Sequence, residues 1–309
     1  MSAVPAAQAD VGAVATPTEF ERRRTAPPGG GRGFVFPSLF MLAFLVYFLM
    51  PLVWLTIAAT KSNADLFDSF GLWFSNFSLI DNIGDVFRKD GGEYAVWLRN
   101  TLGYSVISAV GAALLSAAAG YGFAKYEFRG KNALFWLVLG SVMVPATALA
   151  IPTYLLFSKI GLTNNPLGII LPSLVSPFGI YLMRIYAESA VPSELIEAAR
   201  IDGAGELRTF VQIAFRLLGP GFVTVLLFNF VATWNNYFLP LVMLSEPKWY
   251  PMTVGLAQWN NAATAGGGAQ AEFNVVITGA FLSVIPLIIA FIFLQRYWQS
   301  GLGAGGVKG

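Results

Sequence analysis

Apolar residues run along this chain in long unbroken stretches, unlike the alternating or one-sided patterns of water-exposed strands and helices. Six strongly apolar stretches contain no Asp, Glu, Lys or Arg: 33–60, 100–124, 132–158, 160–183, 217–245 and 273–295. A helix crosses the roughly 30 Å hydrocarbon layer in about 20 residues, so each stretch is long enough to span a bilayer. None has the charged face of a helix that packs on a soluble core. The pattern predicts an all-α membrane protein with six transmembrane helices, at about 34–60, 100–124, 132–158, 166–186, 217–245 and 273–295. A seventh uncharged stretch, 249–271, holds Asn260, Asn261, Gly266, Gly267 and Gly268. Glycine and amide side chains make a poor lipid-facing helix, so this stretch reads as an external loop.

Inside the second stretch, Ser108, Ala112, Ser116 and Gly120 recur at intervals of four, beside Ala109, Ala113 and Ala117. Small residues on one helical stripe let backbones approach closely, which predicts a helix central to the bundle. Prolines recur in the stretches, and Pro172 and Pro177 flank Ser173 and Ser176 in the fourth. A proline removes a backbone donor, so this stretch reads as a broken helix lining a pathway or as an ordinary kink. The fifth stretch carries Asn229 and the run Thr233, Trp234, Asn235, Asn236, Tyr237. Amide groups beside aromatic faces suit a neutral polyhydroxyl solute, and they equally serve as glue between helices.

Charge adds an orientation. With the N-terminus in the cytoplasm, thirteen Lys and Arg fall inside and six outside, among them Arg22, Arg23, Arg24, Arg129, Arg200 and Arg208 on the inner side. That bias satisfies the positive-inside rule and predicts that both termini are cytoplasmic. Residues 1–32, rich in Ala, Pro and Gly around a triple Arg, read as a disordered cytoplasmic tail, and 301–309 as a C-terminal one. The long loop 61–98 mixes Phe67, Phe70, Trp73, Phe74 and Phe77 with acidic residues, folding back on the spans or meeting an external partner. The net charge of +2 argues against a nucleic-acid binder. Cys and His are both absent, which removes thiolate chemistry, imidazole metal sites and histidine-based triads. No ionisable side chain lies in any of the six stretches, which weakens a stand-alone, ion-coupled secondary carrier or channel as the alternative reading. No catalytic or metal-ligating set is expected.

The most specific pattern lies between the fourth and fifth stretches, from Pro192 to Glu206. It reads as a short helix capped by Ser193, with Glu194 and Glu197 early, where the helix dipole favours negative charge, and Gly203 ending it. Its face of Leu195, Ala198, Ala199 and Asp202 suits docking into a groove. Glu197, Ala198, Ala199, Gly203 and Ile213 match the spacing of the EAA signature, so the chain resembles the permeases of ABC importers. The signature's usual Leu-Pro ending is replaced here by Phe215 and Arg216. Trp234 to Pro240 and the end from Gln295 to Gly309 are also similar to the carbohydrate permeases of the maltose type, closest to the smaller, six-helix partner.

That resemblance, which covers the chain from about residue 34, implies the type I ABC importer permease fold, with a permease domain over 33–300 and coupling helices at 193–215. It implies a heterodimer with a second homologous permease, a dimeric cytoplasmic ABC ATPase and an extracytoplasmic substrate-binding protein, in the bacterial inner membrane. Glu197, Ala198, Ala199, Asp202 and Gly203 would form the ATPase-coupling helix. Asn229, Trp234, Asn235, Asn236, Tyr237, Ser173 and Ser176 would be candidates for the sugar pathway, and the region around Trp249, Gln258 and Trp259 would face the binding protein. ATP and Mg would sit on the partner ATPase, with no cofactor in this chain, which has no G-x-x-x-x-G-K-[ST] loop.

Overall fold

The computed structural model describes residues 35–266 and 272–303, so the expected tail at 1–32 and the residues from 304 onward lie outside the described residues. Among the described residues every regular element is helical. In order these are α1 Val35–Ala59, α2 Asn63–Asp68, α3 Leu79–Arg88 and α4 Glu93–Lys125. The chain continues through α5 Lys131–Ser141, α6 Ala146–Lys159, α7 Leu167–Ser173, α8 Pro177–Ala190 and α9 Ser193–Ile201. It ends with α10 Glu206–Leu217, α11 Gly219–Trp234, α12 Phe238–Met243, α13 Met252–Gly266 and α14 Phe273–Gly303. The chain divides into two units at Val53 and Trp54, inside α1.

Among the described residues four helical segments are long and apolar enough to cross a membrane, namely Val35–Ala59, Glu93–Lys125, Leu167–Ala190 and Phe273–Gln295. Two bent pairs, α5 with α6 at 102° and α10 with α11 at 80°, bring the total to six when each pair is counted as one span. The sharpest break therefore falls in the third stretch, while the fourth, expected as a broken helix or a kink, is interrupted more mildly. α5 and α6, with 11 and 14 residues, are each too short to cross alone, since a helix rises about 1.5 Å per residue. Between them Met143 and Val144 donate to the carbonyls of Gly140 and Ser141, a tight turn that Pro145 closes. In the fourth stretch the helix lapses over 174–176 and restarts on Pro177, but the segment continues as one span. A proline at the first helical position donates nothing the helix needs, so it restarts a helix more readily than it breaks one. Ser176 caps that restart, accepting from the Gly179 amide at 3.2 Å.

α4 is the helix on which the unit from Trp54 onward is built, packing on both α8 and α11. Its small-residue stripe of Ala109, Ala112, Ala113, Ser116, Ala117 and Gly120 is buried, as expected of a central helix. Backbone meets backbone at Gly120, where a Cβ would lie 2.6 Å from Met183 Cβ and 2.7 Å from the Arg184 amide nitrogen. At the end of the bundle reached by α1, asparagines tie the chain together. The Asn82 side chain donates to the carbonyls of Ala59 and Lys61 at 3.0 and 2.8 Å, and accepts from Asn274 at 2.9 Å.

The stretch 249–271, expected as a loop, forms α13 over most of its described length. Tertiary burial overrides its poor propensity. Trp259 is packed against Tyr94 and Trp97 of α4, with ring centroids at 6.0 and 4.7 Å, and Gly255 leaves room for the Trp97 ring. The α4 side chains also organise the approach to it. Asn100 donates to the carbonyls of Lys248 and Tyr250, and Thr101 Oγ1 accepts from the Met252 amide at 2.6 Å.

The close contact at Gly120 yields opposite expectations for two glycines of one helix. Gly120→Val is expected to destabilise the folded chain by about 1–3 kcal/mol through overpacking. Gly103→Ala, where nothing lies within 4 Å of the new Cβ, is expected to be neutral or to stabilise by up to about 1 kcal/mol through helix propensity. Thermal unfolding of the two purified variants checks this, and equal midpoints would contradict it.

Candidate functional site

Two regions gather the residues singled out in the sequence. The first is α9, nine residues between α8 and α10. Pro192, in extended backbone, occupies the cap position, and Ser193 is the first helical residue with no capping bond, so the cap expected from Ser193 is not formed. The other end matches the expectation. Gly203 takes a left-handed φ of 77°, which lets the Ala204 amide reach back to the Ala199 carbonyl at 2.9 Å and closes the helix.

α9 is seated by Ile196, which is buried in a cluster with Tyr121, Met183, Val191, Ala214 and Leu218, and Ala199 is buried too. Ala199 thus belongs to the inward face. Glu194, Leu195, Glu197, Ala198, Asp202 and Gly203 are exposed. Two neighbours join them that sequence reading had passed over: Ile201 is 86% exposed and Leu207 77%. The signal was present, since bulky apolar side chains in a segment too short to cross a membrane need a partner of some kind.

Behind this surface a polar hub joins three elements. Arg200 donates through Nε and Nη2 to the two carboxylate oxygens of Glu206 at 2.8 and 3.3 Å, and the Tyr126 hydroxyl donates to Oε2 at 2.5 Å. These bonds, Arg200's first and Tyr126's second, hold the Glu206 carboxyl below its ordinary range, and Glu206 raises Arg200 in return. Beyond Glu206, α10 widens into a π turn at Phe210–Ala214, with the Phe210 ring 5.1 Å from Tyr121 and 6.1 Å from Phe215. The chain then bends by 80° at Leu218 into α11. Pro220, at the start of α11, stands near the bend that lacks the usual Leu-Pro ending.

The second region is a cavity of about 530 Å³, within the usual range for a small-molecule site. Its walls come from both sides of the α5–α6 break, from the α7–α8 junction and from α11 and α12, and no ionisable side chain lines it. Of the seven pathway candidates, Ser173, Ser176, Asn229 and Asn236 line it, and Trp234, Asn235 and Tyr237 do not. Trp234 is buried against Phe230 at 5.5 Å. The Asn235 amide donates to its own helix at Val231, and Tyr237 is exposed. Those three stand where the fifth stretch ends its helix at Trp234 and restarts at Phe238, so neighbours in sequence turn to different surroundings.

Thr233, from the same polar run, also lines the cavity, as do Thr147 and Thr153, which were missed, since a threonine in an apolar stretch has no distinguishing neighbourhood. Several lining donors are already satisfied by their own helices. Asn229 Nδ2 donates to Val225 O, Ser173 Oγ to Ile169 O and Thr153 Oγ1 to Leu149 O, at 2.8, 2.8 and 2.7 Å. Their oxygens remain as acceptors, and Asn229 keeps a second N–H, which together suit a ligand that both donates and accepts. Trp259, expected to face a partner, instead donates to Asp90 at 2.7 Å and is 5% exposed, while Gln258 is exposed beside it. No group of His, Cys, Asp or Glu among the described residues is arranged to hold a metal ion.

The chain is similar to known proteins. Residues 109–303 match the family described as binding-protein-dependent transport system inner membrane component. The arabinooligosaccharides transport system permease protein AraQ of Halalkalibacterium halodurans is 34% identical over 87% of this chain and 93% of its own length. The lactose transport system permease protein LacG of Rhizobium radiobacter is 29% identical over 87% of this chain and 94% of its own length. A chain from the crystal structure of a bacterial ABC transporter involved in the import of the acidic polysaccharide alginate shares the fold, with a TM-score of 0.76 at 24% identity over 88% of this chain and all of its own. A family match across residues 109–303, together with a relative alike over nearly the whole length, establishes that this multi-pass membrane chain belongs to the binding-protein-dependent transport system inner membrane components, the permeases of ABC transporters.

Proposed function

We propose that this chain forms half of the translocation pathway of an ATP-driven importer for a neutral sugar or oligosaccharide. The observation that carries the reading is the uncharged, hydrogen-bonding cavity where three interrupted helical segments meet, with Asn229, Asn236, Ser173, Ser176 and Thr233 in its walls. A polyhydroxyl solute needs donors and acceptors but no counter-charge, whereas an acidic cargo calls for a cation that this lining lacks. The names of the relatives agree, since arabinooligosaccharides, lactose and galactooligosaccharides are carried by the systems of AraQ, LacG and GanQ.

In this reading the chain is a non-catalytic membrane subunit. A second, homologous permease completes the pathway, and an extracytoplasmic binding protein delivers the sugar. ATP and Mg²⁺ are held by a pair of cytoplasmic ATPase subunits. The exposed side chains of α9, Glu197 and Ala198 with Ile201 and Leu207 beside them, seat in the ATPase. Gly203 and the Arg200–Glu206–Tyr126 hub keep that helix rigid against α4, so a push on α9 moves α10 and α11 with it. The cluster of Ile196, Val191, Ala214 and Leu218 supports this transmission, because close-packed contacts pass displacement instead of absorbing it.

Two outcomes test the reading in the assembled transporter. In proteoliposomes, Asn229→Leu is expected to lower uptake of the preferred sugar by up to about tenfold, the worth of one hydrogen bond to a neutral group. Asn235→Leu, outside the cavity, is expected to leave uptake unchanged, and equal effects would remove the cavity from the pathway. For coupling, Glu197→Lys and Gly203→Pro are each expected to leave the chain in the membrane while abolishing substrate-stimulated ATP hydrolysis. Because the Glu206 carboxyl is held below its ordinary range, its contribution is complete above that range and fades as pH falls through the lowered value. The parent's stimulation should therefore not decline on this account above about pH 5. Normal stimulation in both α9 variants would count against the coupling role.

A further inference from the structure

The segment between α1 and α3 is built around a lysine with nowhere exposed to go. Lys61 follows the last turn of α1 and is 1% exposed, and its ammonium donates to Ser69 Oγ and the Phe70 carbonyl, each at 2.8 Å. Ser69 is fixed in turn, its hydroxyl and its amide both donating to the Asp65 carbonyl. The loop also closes on itself, because the Ser78 amide returns to the Thr60 carbonyl at 2.7 Å and Asn82 holds the carbonyls on either side. This is a compact loop with joined ends, pinned from within by a buried cation.

What the pinned loop presents is apolar. Phe67, Phe70, Trp73, Phe74 and Phe77 keep between 57% and 73% of their surface exposed. At about 150–250 Å² for each such side chain, they offer on the order of 600 Å², as much as the largest patch on a typical soluble monomer. The same design removes the only Lys or Arg between residues 54 and 87 from the surface.

The root of the loop says what covers this surface. It springs from the end of α1, whose last residues, Ile57 to Ala59, are buried, while Trp54, two turns before the root, is 43% exposed and its indole lies against Gly71 of the loop. Through the Trp54–Gly71 contact the aromatic surface of the loop adjoins the exposed Trp54 side chain at the end of an apolar helix long enough to cross a membrane. That is the depth of the headgroup layer, where Trp and other aromatic rings are enriched. We propose that the loop 61–78 is an interfacial anchor that dips its aromatic side chains into the bilayer surface beside α1, held in shape by Lys61. With Asp65 and Asp68 as its charged residues apart from Lys61, it binds by apolar insertion and not by attraction to anionic lipid.

The chain has no cysteine, so single spin labels can be placed cleanly in the full transporter. Labels at Phe70→Cys and Phe74→Cys, in bilayers of pure phosphatidylcholine, are expected to show an oxygen-to-nickel-chelate collision ratio several-fold above that of a label at Asp68→Cys. The ratio is expected to stay the same when phosphatidylglycerol is added. Ratios equal to that at Asp68 would make this an aqueous loop, loss of both collisions would make it a protein contact, and dependence on phosphatidylglycerol would make it electrostatic. Each of those three results overturns the proposal. As a second arm, Lys61→Met is expected to drop the Phe74 label's ratio toward the aqueous value, and an unchanged ratio in that variant would remove Lys61 from the account.

Discussion

A backbone amide or carbonyl inside a bilayer has no water to turn to, and leaving one unpaired there costs several kcal/mol, about the stability of a small domain. Interruptions of helix at membrane depth are therefore tolerated where protein or an aqueous cavity takes up the freed groups. The chain concentrates its interruptions accordingly. The 102° break between α5 and α6, the lapse between α7 and α8 and the gap between α11 and α12 all border the same cavity. α4 and α14, which line none of it, run unbroken for 33 and 31 residues. Placing the breaks together creates the polar interior and at the same time satisfies the backbone that the breaks expose.

This constraint also links the two functional regions. α11 begins at the 80° bend beside the α9 surface and carries Asn229 into the cavity wall about 16 Å further along, at a helical rise of 1.5 Å per residue. One rigid element thus has one end in the cluster that seats α9 and the other in the pathway. Its neighbour α4 supplies the fixed surface, with Gly120 and the small stripe admitting α8 at close range.

The spans were legible because a missing charge is a strong signal over 20 or more residues, and the end of α9 was legible because a left-handed residue favours glycine. Where tertiary partners decide, the sequence was a weaker guide. α13 looked like a loop because its glycines and asparagines disfavour helix, and Trp97 and Tyr94, more than 150 residues earlier, supply the packing that reverses the choice. The break in the third stretch was hidden because Pro145 there resembled the many other prolines of the chain, and a helix-breaking proline cannot be told from a helix-starting one without the turn before it. Trp234, Asn235 and Tyr237 shared the polar run with Asn236, but a gap in the helix after Trp234 sends them to different surroundings, which periodicity cannot foresee.

The most direct test of the central claim, that the broken spans enclose water instead of facing lipid, is thiol accessibility in the assembled transporter. Single cysteines at Thr147 and Asn236, which line the cavity, are to be compared with one at Ala112, buried in the α4 stripe. The account predicts that a small charged thiol reagent modifies both cavity positions, that the transported sugar slows the reaction, and that position 112 stays inert. Cavity positions as unreactive as position 112 would mean that the breaks border no aqueous space, and the account would fail.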